Sequence, residues 1–138
     1  MHQMNPAESK KNHKMGRARL VDSFQFAWQG VRFAFLHEQN FRIHVVMAVL
    51  AIGAGLFFGI SIDEWAILIV ITGIVLAAEL FNTAIEATID LQTTELHPLA
   101  KIAKDSASAA VLILSVVAVV VGLIIFLPRV IQFVQKIL

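Results

Sequence analysis

The sequence predicts an all-α integral membrane protein, with an amphipathic N-terminal surface helix followed by three transmembrane helices. Apolar residues make up 58% of the 138 residues and the mean hydropathy is +0.77, which is too apolar for a soluble domain of this size. Three apolar runs are each long enough to cross a bilayer core of about 30 Å. Seven of the eleven Lys and Arg residues precede the first run, so positive charge is concentrated at one end.

The N-terminal part divides into a polar tail and a surface helix. Residues 1–16 are polar and basic, and we expect them to be disordered, whereas 17–138 forms a single membrane domain. A surface helix is predicted over 20–37, because its apolar residues recur at steps of four, three and four: Phe24, Trp28, Val31 and Phe35. Beside a basic tail, such a helix is expected in the headgroup plane. The alternative is a fourth packing helix in a small bundle.

The three transmembrane helices are predicted at 43–60, 65–91 and 107–127. The first two are joined by "SIDE" (61–64), and the third ends at Pro128-Arg129. Because loops rich in Lys and Arg stay in the cytoplasm, the basic N-terminus is predicted to be cytoplasmic. "SIDE" then lies outside, and the connection between the second and third helices returns to the cytoplasmic side.

The second helix ends in an acidic stripe: Glu79, Asn82, Glu86 and Asp90, which share one helix face. Glu79 follows Trp65 by fourteen residues, or about 21 Å along a helix, which places it in the inner leaflet. A charge at that depth costs at least about 2.5–3.5 kcal/mol, so the stripe must face protein, water or a bound cation. Asp90 alone is equally well explained as the interfacial end of the helix.

Further polar residues are predicted at the same cytoplasmic level. Glu38 precedes the first helix, and four residues lie between the second and third: His97, Lys101, Lys104 and Asp105. Carboxylates suit Mg²⁺, and lysine beside such a metal suits phosphate. No Walker loop is present, and without cysteine there is no thiolate metal site. The residues themselves thus predict a magnesium-phosphate site at the membrane surface, although Lys101 is equally well explained as a topology signal.

Two motifs resemble the prokaryotic diacylglycerol kinase and undecaprenol kinase family of small membrane kinases. "AELFNTAIEATIDL" matches E-x-x-N-[ST]-A-I-E-x-x-x-D, and "HPLAKIAKDSASAAVL" matches H-x-L-A-K-x-A-K-D-x-x-[SA]-A-A-V. The segment "FAWQGVRFAFLHEQNFRIH" is similar to the family's entry segment, and the likeness covers roughly residues 17–127. "HPLAKIAKD" and "FRIH" look more like the Gram-positive undecaprenol kinases than the Gram-negative diacylglycerol kinases.

The resemblance implies an ATP-dependent lipid kinase that transfers the γ-phosphate of MgATP to the hydroxyl of a membrane lipid. Undecaprenol is the favoured substrate, and the alternative is diacylglycerol, which would give phosphatidic acid. The resemblance also implies a homotrimer with sites shared between subunits. Its location would be the bacterial plasma membrane, with the active site on the cytoplasmic side and no nucleic-acid partner.

Roles for individual residues also follow from the resemblance. Glu79 matches the proposed general base, and Glu38 and Glu86 match the acids that hold magnesium at the ATP phosphates. Substrate binding is implied for Glu79, Asn82 and Ser108. ATP binding is implied for a larger set: Arg19, Phe26, Glu38, Glu86, Glu95, His97, Lys104 and Asp105. Where diacylglycerol kinases often carry an aromatic residue before the loop histidine, this chain has Leu96, which puts an adenine contact there in doubt.

Two readings without catalysis stay open. A small oligomeric proton or cation conduit would be lined by Glu79 and Asn82, since intramembrane carboxylates often serve that purpose. That hypothesis predicts polar residues through the outer half of the membrane, where "WAILIVITGIVLA" offers only Thr72. An assembly subunit, whose stripe pairs with a partner's bases, would leave Glu38 and Lys104-Asp105 unexplained.

Overall fold

The computed structural model describes residues 6–92 and 97–138, with side chains from residue 18 onwards, and these residues form four α-helices. The helices are α1 (Pro6–His37), α2 (Gln39–Phe58), α3 (Ile62–Gln92) and α4 (Pro98–Ile137). The last three are each long and apolar enough to cross a membrane. The prediction of an all-α membrane protein with three spans after an N-terminal helix is confirmed.

The first helix begins much earlier than the sequence analysis places it. α1 starts at Pro6, so helical backbone includes residues 6–16, for which disorder is expected from the sequence. Proline suits the first helical position, and Ala7 and Glu8 favour helix. The chain divides into two units, with α1 in one and Glu38–Leu138 in the other. Phe24 and Trp28 of α1 are 77% and 68% exposed, and their place in the headgroup plane stays a prediction.

A tight turn joins α2 to α3, and it is shorter than predicted. α2 ends at Gly59, whose φ of 61° is left-handed and whose N–H donates to the Gly55 carbonyl. Ser61 N–H donates to Glu64 Oε2 at 2.7 Å, and Glu64 N–H donates to Ser61 Oγ at 3.3 Å. This reciprocal pair is a capping box, so most of "SIDE" is the first turn of α3 rather than a connection.

The core of the three-helix unit lies near this turn. Ile60, Leu68 and Ile125 are buried together there, and α3 packs on both α2 and α4. Gly55 allows the close approach of α3, because a Cβ at that position would lie 2.8 Å from the ring of Trp65. The predicted span 65–91 lies within α3, whose 31 residues extend about 46 Å.

The third predicted helix, 107–127, is too short at both ends. α4 starts at Pro98 and continues through Pro128 to Ile137. Proline removes one backbone donor from a helix but does not have to end it where neighbouring groups compensate. Arg129 follows the proline, where its Nη1 donates to the Ile125 carbonyl at 2.5 Å and its guanidinium pairs with Glu64 of α3, so this part of α4 is held on α3.

Aromatic contacts also hold the end of α4 on α2. The ring of Phe133 makes edge-on contacts with Phe57 and Phe58, at centroid distances of 5.7 and 6.3 Å. The segment 129–138 is thus an ordered continuation of the third transmembrane helix. It lies at the end of the unit that is opposite to the acidic stripe.

Candidate functional site

The acidic stripe occupies one face of the second half of α3, as its spacing predicts. Glu79 is 2% exposed and is the one charged side chain in the described part of the chain that is buried. Asn82 and Glu86 are half-buried, and Asp90 is exposed. Glu79 is therefore buried within a single chain. The stripe runs from a buried carboxylate to an exposed one in about three helical turns.

Asn82 links the two glutamates of the stripe. Its Nδ2 donates a hydrogen bond to Glu86 Oε1 at 3.0 Å, which orients that carboxylate. The Asn82 Oδ1 is buried and accepts no hydrogen bond from any residue that the structure describes. A buried acceptor without a donor is destabilising, so this oxygen is available to a hydroxyl donor of a ligand. Asn82 lies between Glu79 and Glu86 in the sequence and is at the centre of the stripe.

A third carboxylate approaches the stripe from another part of the chain. Glu38 has extended backbone, with φ −98° and ψ 118°, and occupies the N-cap position of α2. Its side chain does not cap the helix, and both Glu38 and Glu86 lie close enough to Glu79 to interact with it electrostatically. The sequence analysis expects Glu38 and Glu86 at one site, and the structure brings both into the neighbourhood of Glu79.

These carboxylates fit a hard divalent cation. Glu38 and Glu86 supply oxygen donors, which Mg²⁺ prefers, and Mg²⁺ is usually bound through one or two carboxylates plus phosphate oxygens and water. Among residues 6–92 and 97–138, no three or more acidic or His side chains lie together in a group that could hold a metal ion. No salt bridge to a basic side chain neutralises Glu79 or Glu86 within the same residues.

The start of α4 carries the remaining polar residues of the second motif. His97 is the N-cap of α4, and its Nδ1 accepts a hydrogen bond from the Leu99 N–H at 3.2 Å, with Pro98 at the first helical position. His97 therefore has a capping function that the sequence analysis does not foresee. Its predicted contact with the nucleotide stays a prediction. Glu95, also expected at the nucleotide, lies outside the described residues.

Two ion pairs involve the lysines of α4. Lys101 Nζ lies 2.6 Å from Asp105 Oδ2, one turn along the same helix, and both side chains are exposed. Lys104 Nζ lies 2.5 Å from Oδ1 of Asp90, at the end of the stripe on α3. The structure thus places Lys104 beside the stripe, as expected for a phosphate ligand. The sequence did not identify Asp90 as the partner of Lys104, because Asp90 is equally well explained as a residue that marks the interfacial end of the helix.

Three further residues with predicted roles are exposed. Arg19 and Phe26 lie on α1, and Phe26 is 68% exposed. Ser108 lies on α4, about one turn beyond Lys104. The roles of all three in ATP and substrate binding stay predictions.

Known proteins match this chain over most of its length. Residues 25–126 match the family described as prokaryotic diacylglycerol kinase. The undecaprenol kinase of Bacillus subtilis (strain 168) is 40% identical over 119 residues, which are 86% of this chain and 97% of that protein. A diacylglycerol kinase of Synechocystis sp. is 40% identical over 120 residues, or 86% of this chain and 69% of the relative. The diacylglycerol kinase of Escherichia coli (strain K12) is 35% identical over 109 residues, which are 79% of this chain and 89% of that protein.

Proposed function

This chain belongs to the prokaryotic diacylglycerol kinase family and is a membrane lipid kinase, and we propose that it transfers the γ-phosphate of MgATP to the hydroxyl of undecaprenol. The observation that carries this proposal is the buried carboxylate of Glu79, close enough to Glu38 and Glu86 to interact with them electrostatically, with the buried Oδ1 of Asn82, which has no described hydrogen-bond donor, about one turn further along α3. A buried acid next to two metal-type ligands suits phosphoryl transfer to an alcohol.

In the proposed reaction Glu79 is the general base. The lipid hydroxyl oxygen attacks the γ-phosphorus, the bond to the β-phosphate oxygen breaks, and the hydroxyl proton passes to a Glu79 carboxylate oxygen. ADP leaves with the bonding electron pair. Asn82 Oδ1, which has no described hydrogen-bond donor, would accept a hydrogen bond from the same hydroxyl before transfer and so orient the oxygen toward the phosphate. The chain's own contribution is mainly positioning and charge compensation, because phosphoryl transfer needs little covalent chemistry from protein.

Glu38 and Glu86 would hold Mg²⁺, which, when bound, neutralises the charge on the β- and γ-phosphates. Asn82 fixes the orientation of Glu86 through the hydrogen bond at 3.0 Å. Lys104, at the exposed end of the stripe, would donate to phosphate oxygens. This division leaves the Glu79 carboxylate to the lipid and assigns the exposed end of the stripe to the nucleotide.

The depth of the stripe supports a lipid acceptor. Glu79 follows the start of α3 by seventeen residues, or about 26 Å, which is close to the far boundary of a hydrocarbon core of about 30 Å. A lipid with its hydroxyl at that interface and its tail in the core would reach Glu79 without leaving the membrane. We propose that this interface is cytoplasmic, as the basic N-terminal segment predicts, so that ATP reaches the site directly.

Undecaprenol is the proposed substrate ahead of diacylglycerol. The undecaprenol kinase of Bacillus subtilis is matched over 97% of its length, compared with 69% for the Synechocystis diacylglycerol kinase at the same 40% identity. Both lipids present a primary hydroxyl at the interface, so the same residues can phosphorylate either of them. We also propose the homotrimer implied by the family resemblance. It would cover the large apolar side chains that α2 and α4 expose, of which Leu56 is 72% and Ile124 70% exposed.

The test is γ-phosphate transfer from ATP by purified protein in lipid, with undecaprenol and diacylglycerol offered separately and in competition. We expect magnesium-dependent phosphorylation of undecaprenol in preference to diacylglycerol. A preference for diacylglycerol would change the proposed substrate, whereas the proposed phosphoryl transfer and the roles of the residues would stay the same. If neither lipid were phosphorylated by an intact trimer with magnesium present, the conduit and assembly-subunit hypotheses would replace this one.

A further inference from the structure

The ion pair between Asp90 and Lys104 connects two helices at the exposed end of the stripe. Asp90 lies in the last turn of α3 and Lys104 in the second turn of α4, on either side of the connection between them. Oδ1 and Nζ are 2.5 Å apart. Because the partners are fourteen positions apart, the contact depends on how α3 and α4 pack and not on the repeat of one helix.

The two partners differ in their surroundings. The Asp90 side chain is 64% exposed, whereas that of Lys104 is 35% exposed. By contrast, the neighbouring pair Lys101–Asp105 lies on one helix with both side chains more than half exposed, at 78% and 63%. Exposed pairs within one helix contribute little to stability or orientation. Lys104 is thus the less exposed of these two lysines, and its partner lies on another helix.

The pair also continues the stripe in space. Asp90 follows Glu86 by one turn of α3, about 6 Å along the axis. Glu86 is itself oriented by Asn82 at 3.0 Å. The Lys104 ammonium therefore lies one turn beyond the proposed metal ligand, at the height where phosphates bound through Glu86 would be found. A lysine ammonium has three N–H donors, so one can go to Asp90 while two stay available to phosphate oxygens.

We propose that Asp90 is a positioning residue of the nucleotide site, which holds the Lys104 ammonium in place for the phosphates of ATP; this inference rests on the proposed kinase function. The lysine side chain is long and flexible. Without a partner it would lose its conformational freedom only when ATP binds, and that entropy cost would weaken ATP binding. Asp90 orders it beforehand. Because water surrounds the Asp90 carboxylate, its own repulsion of the phosphates is reduced by screening.

A competing role for Asp90 predicts the opposite result. If the carboxylate merely occupied Lys104 until ATP displaced it, removing the charge would tighten ATP binding and lower the KM for ATP. If the pair only joined α3 to α4, its loss would lower thermal stability and would not act on the KM for ATP in particular. The effect on KM, with its sign, therefore distinguishes the three roles.

The experiment compares Asp90→Asn with Asp63→Asn, which makes the same change on an exposed residue in the first turn of α3. KM for MgATP, kcat at saturating lipid and thermal unfolding are measured on the full-length protein in lipid. The pair joins an exposed aspartate to a half-buried lysine and contributes about 1 kcal/mol, so its loss corresponds to a change of about fivefold in KM for MgATP. For Asp90→Asn we expect KM for MgATP to rise about fivefold with kcat changed less than twofold, and Asp90→Glu to recover most of the difference.

A second background keeps the test independent of folding. On Lys104→Met, Asp90→Asn should have no further effect on the residual KM for MgATP, because Asp90 acts through Lys104. An equal rise in both backgrounds, an unchanged KM in Asp90→Asn, or a lower KM would each overturn the proposal. If the unaltered protein phosphorylated no lipid, the proposed function itself would fail, and that outcome is distinct from an active enzyme that is insensitive to Asp90.

Discussion

The bidentate contact between Arg129 and Glu64 offers a test of the three-helix packing that is remote from the acidic stripe. Arg129 Nη1 and Nη2 donate to Glu64 Oε1 and Oε2 at 2.9 and 2.8 Å, and Nη1 also donates to the Ile125 carbonyl. The two side chains are 27% and 26% exposed, so the pair is only partly shielded from water. We predict that Arg129→Met destabilises the protein and leaves the turnover of the folded enzyme unchanged.

The magnitude follows from the contacts that are lost. Breaking a fully buried ion pair costs about 3–5 kcal/mol, whereas an exposed pair contributes up to about 1 kcal/mol. The pair is partly exposed, and Glu64 keeps the hydrogen bond from the Ser61 N–H at 2.7 Å, so its charge is not left without a partner. The hydrogen bond from Arg129 Nη1 to the Ile125 carbonyl is also lost, which adds to the cost. We expect a loss of about 1.5–2.5 kcal/mol in the free energy of unfolding.

The assay is reversible unfolding of the purified protein in mixed micelles, followed by circular dichroism. Arg129→Lys is the matched control, because it keeps the charge and loses the planar two-pronged contact. The double variant Glu64→Gln with Arg129→Met should lose less than the sum of the single variants. Additive losses, or an Arg129→Met variant within about 0.5 kcal/mol of the unaltered protein, would refute the packing of α4 on the start of α3.

Three further predictions concern the site and its orientation. Glu79→Gln should lower lipid phosphorylation at least about a hundredfold, because a general base usually contributes a factor of that size. The proposed oligomer should stay intact by size-exclusion chromatography, and near-normal turnover would remove Glu79 from the role of base. Glu86→Gln should raise the magnesium concentration needed for half-maximal activity, because one carboxylate ligand is lost. Asp63→Asn is the control, and an unchanged magnesium titration in Glu86→Gln would contradict ligation by Glu86. The chain has no cysteine, so Lys101→Cys and Gln132→Cys can be labelled singly with an impermeant maleimide in intact cells. We expect labelling of the residue at 132 alone, with the unaltered protein as the blank, and the reverse pattern would invert the proposed orientation.

The spacing of polar residues predicted the acidic stripe because side chains three and four apart must share a helix face. Glu79 is buried, and Asn82 and Glu86 are hydrogen-bonded, so that prediction agrees with the structure. Hydropathy located the helices and misplaced their ends. The start of α3 was readable in principle from the S-x-x-E pattern of 61–64, which is the signature of a capping box.

The continuation of α4 through Pro128 was not readable in the same way. A proline at the end of an apolar run usually marks a helix end, and just after this proline Arg129 pairs with a residue sixty-five positions earlier, which no local pattern announces. The pairing of Asp90 with Lys104 is of the same kind, because local sequence assigns each residue a face and a depth but no partner on another helix.

The sequence by itself determined the class of protein and the number of spans, because these depend on hydrophobic length and helical period, and it predicts the depth of the acids. It also contains the motifs that identify the family. Only the tertiary structure decided which charges meet, since the approach of Glu38 to Glu79 and the pairs at Lys104 and Arg129 depend on the packing of separate helices. Such contacts are set by the shapes of whole helix faces, as in the fit of Trp65 against Gly55.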